Sequence, residues 1–193
     1  MGQGAAGLNT ADRDDWYAAL MARSAGQGND HALACMLASG LCGEGALPHG
    51  LGLAERDFAI LMAYHFAGHD YLPVVGSGEM PDRDRDDERA ELVSLMKRHR
   101  AGWSPSELWM AVIVAEACMA SDHLWQDLGL WSRADLSELM ERNFPTLAAK
   151  NEQNMKWKKF LYKQLCIAEG IYTCRAPSCA VCADYQACFG PEE

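Results

Sequence analysis

Apolar residues recur along this chain at three- and four-residue intervals, the repeat of one helical face, and no run sustains the alternation of a strand. The pattern begins at Asp12, with Trp16 and Leu20 aligned and Ala19 or Met21 beside them, and fades at Gly26-Gln27-Gly28. A second helix follows Asn29 or Asp30, with Leu33, Met36 and Leu37 at helical spacing, until glycines between 40 and 52 break it. Residues 53–66 predict a third, with Phe58, Leu61, Met62 and His65 on one stripe, and 68–81 reads as a Gly/Pro-containing loop.

Asp82 opens the clearest amphipathic stretch. Acids crowd its first turns, Leu92, Val93, Leu95, Met96 and His99 form its apolar stripe, and Lys97, Arg98 and Arg100 stand near its end, an order that complements the helix dipole. Ser104-Pro105-Ser106-Glu107 then combines a capping box with proline at the first helical position. The helix it starts is apolar on nearly every face through Met119 and is the expected central helix. Ser132-Arg133-Ala134-Asp135 is another capping box, opening a helix to about Asn143. A last helix, from about Asn151, carries Met155, Trp157, Phe160, Leu161, Leu165 and Cys166 and ends at Gly170. The expected fold is all-α: one domain of six to eight helices over residues 1–170, the first eleven flexible, followed by a C-terminal cysteine-rich metal-binding loop over 171–193.

Composition narrows what such a domain does. An apolar content of 49% and a charged content of 23% are those of a globular protein. A formal net charge of -10 argues against a nucleic-acid or anionic-membrane binder, which needs a broad basic surface. The longest apolar run, 108–120, is too short for a membrane span and contains Glu116. No basic flank precedes an apolar segment at the N-terminus, so a cytoplasmic protein is expected. In that reducing setting eight cysteines point to metal rather than to disulfides.

Four of them, Cys174, Cys179, Cys182 and Cys188, are spaced C-x4-C-x2-C-x5-C. Thiolates are soft ligands for zinc, copper(I) or iron, and four complete one tetrahedral ion or hold one cluster. Pro177 lacks an amide hydrogen and pushes Ala176 toward extended backbone, so Cys174 and Cys179 do not share a continuous helix. Structural zinc usually takes two short ligand pairs across a spacer, whereas this tail has one pair flanked by single cysteines, a pattern closer to an iron-sulfur cluster. A zinc-stapled interaction domain and a small iron-sulfur electron-transfer protein stay open on spacing alone.

Three stretches resemble the NifQ family of nitrogen-fixation proteins: Asp122-His-Leu-Trp-Gln-Asp-Leu-Gly-Leu130, Asn154-Met-Lys-Trp-Lys-Lys-Phe-Leu-Tyr162, and the tail from Cys174 through Cys188-Phe-Gly190. The resemblance is firm over 122–190, weaker over 47–100 and uninformative before that. It implies a molybdenum carrier and not an enzyme. It further implies a [4Fe-4S]-type iron-sulfur cluster, able to take up molybdenum, held by Cys174, Cys179, Cys182 and Cys188. Partners implied by the resemblance are the NifEN scaffold and NifH, which assemble the iron-molybdenum cofactor of nitrogenase.

Other candidates are weighed beside this set. His123, next to Asp122, is either an accessory ligand or a helix-end histidine satisfied by the backbone. Residues 150–163 hold five lysines and one glutamate, so Lys156, Lys158, Lys159 and Lys163 either steer an anion such as molybdate toward the cysteines or line a solvated helix face. His65 and His69 have ligand spacing but read as a packed or solvated pair. Glu116 calls for a salt bridge or a rim position. Cys35, Cys42, Cys118 and Cys166 read as small buried hydrophobes, with Cys166 the nearest spare thiol to the tail.

Overall fold

The structure is a computed structural model describing residues 11–68 and 85–168. Among the described residues all regular structure is helical: α1 (Arg13–Met21), α2 (Asp30–Leu41), α3 (Glu55–His65), α4 (Asp86–Arg98), α5 (Ser106–Cys118), α6 (Leu124–Asp127), α7 (Arg133–Asn143), α8 (Pro145–Ala148) and α9 (Trp157–Ala168), with a 3-10 turn at His49–Gly52. The all-α reading holds, and the helices expected from periodicity are present. Two single-turn helices, α6 and α8, were not expected, because four residues carry too little periodicity to register.

Helix starts follow local chemistry. Asp12 accepts from the Asp15 amide at 2.9 Å while Asp15 accepts from the Asp12 amide at 3.3 Å, a capping box that fixes the entry of α1. At α5 the box is reshaped: Ser104 Oγ accepts from Ser106 N at 3.1 Å, and Glu107 accepts from the amides of Gly102, Trp103 and Ser104 at 2.6–3.0 Å. One buried carboxylate in the first turn of α5 thus satisfies three amides of the loop before it. Ser132 Oγ accepts from Asp135 N at 3.1 Å and starts α7.

Two starts fall later than the sequence suggests. Residues 151–156 are not helical, because the Asn151 side chain brackets Met155, donating to its carbonyl at 3.0 Å and accepting from its amide at 2.8 Å, and Asn154 takes φ 49°. Asparagine offers the backbone this alternative to a helix. α3 begins at Glu55 rather than at residue 53, after a turn in which Gly50, Leu51 and Gly52 all have positive φ. The start expected at Asp82 and the end expected at Gly170 lie outside the described residues.

α5 is the centre of the core. Met110, Ala111, Ile113, Val114 and Ala115 have no exposed surface, and the helix packs against α3, α4, α6 and the 3-10 turn. Glu116, 8% exposed, is paired with Arg89 at 3.1 Å, the salt bridge its apolar surroundings call for. The segment after α2 lies along the link between α6 and α7. Ala46 donates to the Asp127 carbonyl at 2.9 Å, and Ser39 Oγ donates to the Gly129 carbonyl at 2.7 Å. Gly129 has φ 71°, and a Cβ there would sit 2.9 Å from Ser39 Cβ. Gly129→Ala should therefore lower unfolding stability by about 2 kcal/mol, from the left-handed backbone and the forced shift of α2 together, readable as a lower urea midpoint.

A buried polar network ties four helices at one level. Asn29 Nδ2 donates to Ser106 Oγ at 2.9 Å and to Asn143 Oδ1 at 2.7 Å, and Asn143 Nδ2 returns a bond to Asn29 Oδ1 at 2.9 Å. His65 bridges Ser106 Oγ at 2.8 Å and Asp30 Oδ1 at 2.6 Å, and Asp30 Oδ2 also accepts from Gln27 N at 2.8 Å and from Ser24 Oγ. A carboxylate only accepts, so His65 Nδ1–H donates to Asp30 and Nε2 accepts a hydrogen bond from the Ser106 hydroxyl. Every member is satisfied with His65 neutral, and burial pushes its pKa down against the pull of Asp30. His65 is thus the packed histidine of the sequence reading; His69 lies outside the described residues.

Candidate metal centre

Cys174, Cys179, Cys182 and Cys188 lie outside the described residues, as does the boundary expected at 170/171. What the structure describes is the element that leads into them, α9. Its inner face carries Trp157, Phe160, Leu161, Tyr162, Leu165 and Cys166, all buried. Each of the larger apolar side chains contributes roughly 1.5–3 kcal/mol by leaving water.

Two polar anchors add direction to that packing. Near the start of α9, Lys158 Nζ donates to the Ala120 carbonyl at 2.8 Å and forms an ion pair with the Asp127 carboxylate. Burial nonetheless holds the Asp127 carboxyl above its ordinary range, more than Lys158 pulls it down. In the middle of α9, Tyr162 Oη donates to Glu88, which Arg85 grips with Nε at 3.0 Å and Nη2 at 2.7 Å. Arg85 also reaches Tyr162 Oη at 3.0 Å and the Met119 carbonyl at 2.7 Å. Burial works to raise the Glu88 carboxyl, but the bonds from Arg85 and Tyr162 outweigh it and the carboxyl is held low. Burial and Glu88 push the Tyr162 phenol up, so it stays a donor. The helix before the cysteines is thereby fixed to α4, α5 and α6.

The remaining candidates divide. Lys158 is the anchor just described, 17% exposed over a 4% exposed aspartate, so the picture of an outward lysine steering anions is corrected at this position. Periodicity explains the error: Lys158 stands one and two turns before Tyr162 and Leu165, on the inner row. Lys156 and Lys159 are half-buried, and Lys163 Nζ lies 3.9 Å from Met155 Sδ. His123 is half-buried at the N-terminal edge of α6, where its carbonyl accepts from Gln126 and Asp127 at 2.9 Å. Among the described residues no group of three or more His, Cys, Asp or Glu side chains could hold a metal ion.

The other thiols behave as expected except one. Cys35, Cys118 and Cys166 are buried, and burial pushes the Cys35 and Cys118 thiols up to about 12, which removes both as ready thiolate ligands. Cys42 is exposed, since it caps α2 at its C-terminal end rather than lying on the buried face of the helix. Asp30, His65 and Ser106 have the connectivity of a hydrolytic triad, which sequence spacing did not suggest. They are at most 2% exposed and Ser106 Oγ is already bonded to Asn29, so no substrate carbonyl reaches it and the arrangement is structural.

Comparison with known proteins then fixes the family. The NifQ family model matches residues 32–190, a span that contains all four tail cysteines. The chain belongs to the NifQ family. Protein NifQ of Azotobacter vinelandii is 46% identical over 160 residues, 78% of this chain and 82% of the relative. Protein NifQ of Klebsiella pneumoniae is 40% identical over 156 residues, covering 76% and 90%. A NifQ homolog of Sinorhizobium fredii is 39% identical over 170 residues, covering 86% and 73%. No solved structure matches. The NifQ match begins at residue 32, inside α2, well before residue 47 where the resemblance becomes readable from the residues themselves. Membership places the chain among nitrogen-fixation proteins. Among the described residues no helix is long and apolar enough to cross a membrane.

Proposed function

We propose that this chain is a molybdenum carrier and donor for the iron-molybdenum cofactor of nitrogenase, holding its cargo as a molybdenum-containing iron-sulfur cluster on Cys174, Cys179, Cys182 and Cys188. The observation that carries the reading is the NifQ match across 32–190, which takes in the whole C-x4-C-x2-C-x5-C set. Four thiolates within one short tail suit the soft irons of a cluster. The anchored α9 supports the reading from the structural side: a fixed helix gives the ligand segment a defined origin. The carrier passes its metal to the NifEN scaffold with NifH and acts stoichiometrically rather than as an enzyme, in a reducing cytoplasm that keeps the thiols available.

The test is metal and sulfide analysis of protein purified without oxygen, beside a Cys182→Ala variant. Wild type should contain iron, sulfide and molybdenum, and the variant should lose most of all three while its helical circular dichroism is retained. Zinc alone, with no iron after reconstitution, would overturn the proposal in favour of a zinc-stapled domain. Iron and sulfide without molybdenum uptake would favour electron transfer.

A further inference from the structure

With Lys158 bound to Asp127, a cluster of cations without ion pairs among the described residues lies elsewhere, where the end of α4 meets α8. Lys97, Arg98, Arg100 and Lys150 form no ion pair among the described residues, whereas Arg13, Arg85, Arg89 and Arg142 each have a carboxylate partner. His99 stands inside this group. Its Nδ1 lies 2.7 Å from Thr146 Oγ1, the same hydroxyl is 3.5 Å from the His99 carbonyl, and Lys150 Nζ is 3.4 Å from Nε2.

The hydrogens can be placed from these contacts. Thr146 gives its hydroxyl hydrogen to the His99 carbonyl and accepts Nδ1–H, leaving the Nε2 lone pair facing the Lys150 ammonium. The ring is therefore neutral. Burial, then Lys150 and Arg98, push its pKa down, and no carboxylate acts on it in return. Lys97 and Arg100 flank it on its own segment, and Lys150 faces it from beyond α8. An ammonium, an imidazole and a hydroxyl thus converge, with no carboxylate among the described residues bonded to any of them. An oxyanion inserted at this corner would accept from Lys150 Nζ directly, and a proton taken up on Nε2 would add a second charge-assisted donor.

We propose that the corner formed by His99, Thr146 and Lys150 binds a tetrahedral oxyanion, molybdate or phosphate, with proton uptake at His99. That molybdate is the biological occupant rests on the carrier reading above; oxyanion binding itself does not. The site is separate in sequence from the cysteines, so the chain would collect the anion on its helical body before any metal reaches the tail.

The experiment is isothermal titration of metal-free full-length protein with sodium molybdate and, separately, sodium phosphate, in two buffers of different ionisation enthalpy, repeated with Lys150→Gln and His99→Gln. Saturable binding is expected, at least roughly tenfold weaker in Lys150→Gln, as for loss of one charge-assisted bond. Affinity should rise as pH falls through the ordinary histidine range, with a buffer-dependent heat that His99→Gln abolishes. Preference for molybdate identifies the cargo as occupant, and equal competition by phosphate identifies a general oxyanion site; both support the proposal. Unchanged affinity in both variants would overturn it. So would binding that Lys150→Gln retains and Cys182→Ala removes. Iron and sulfide content of the reconstituted Lys150→Gln protein reads the cluster separately, so failure of one proposal is visible without failure of the other.

Discussion

A His65→Leu chain should lose about 3 kcal/mol of unfolding stability, the upper end of the cost of stranding buried polar groups, seen as a lower urea midpoint at unchanged slope. His65 is 0% exposed and joins α2 to α5 through Asp30 and Ser106. Leucine fills much of the volume but leaves the Asp30 carboxylate, 2% exposed, without its imidazole donor, and the Ser106 hydroxyl without its acceptor. The cost comes from these stranded groups more than from the lost bonds. A domain with a total stability of about 5–15 kcal/mol would lose a large share of it. His65→Gln, which can keep one of the two bonds, should cost less.

The same residue sets a pH dependence. The folded chain holds His65 neutral with its pKa below the ordinary 6.5, so between that value and the folded pKa the unfolded chain binds more protons. Stability is therefore full above about pH 6.5 and falls as the pH drops through this window, by up to about 1.4 kcal/mol per unit. His99 is lowered too and contributes with the same sign. Urea midpoints across pH 5–8 should show this slope in wild type, and His65→Leu should flatten it. An unchanged slope in the variant would show that the network titrates through another group.

How legible these features are in the sequence depends on the kind of signal each carries. α5 reads directly, since a run apolar on every face has only the centre of the domain to occupy, and Ser104, Glu107, Ser132 and Asp12 announce helix starts through side chains that reach their own backbone. Asn29, Asn143 and Ser106 do not read at all. Each looks like a surface polar residue, and only tertiary contact between segments 114 residues apart turns the two asparagines into a reciprocal pair. The hint was His65, a histidine on an otherwise apolar stripe. The cysteine set is the opposite case: its spacing and its family are readable from the chain alone, while its four residues lie outside the described structure.

Lys158→Gln should be destabilising by about 3–5 kcal/mol, a result that decides how the basic helix before the cysteines is to be understood. A lysine on a solvated face would change stability by less than about 0.5 kcal/mol. Here the substitution leaves the Asp127 carboxylate, with a side chain only 4% exposed, and the Ala120 carbonyl without the ammonium that both share. A neutral pair should recover much of the loss, because a buried ion pair is often no better than a packed apolar one. Lys158→Met with Asp127→Leu is that control, and the double-mutant cycle isolates the coupling. The two variants also separate anchoring from electrostatics in metal loading. If Lys158 serves the cysteine tail by fixing α9, molybdenum and iron content should fall in Lys158→Gln and return in the charge-free double variant. If its charge draws the anion in, content should stay low in both, since neither carries the ammonium. The first outcome is expected, because the charge is already spent on Asp127 inside the fold, and the unpaired cations at the end of α4 remain to meet an anion.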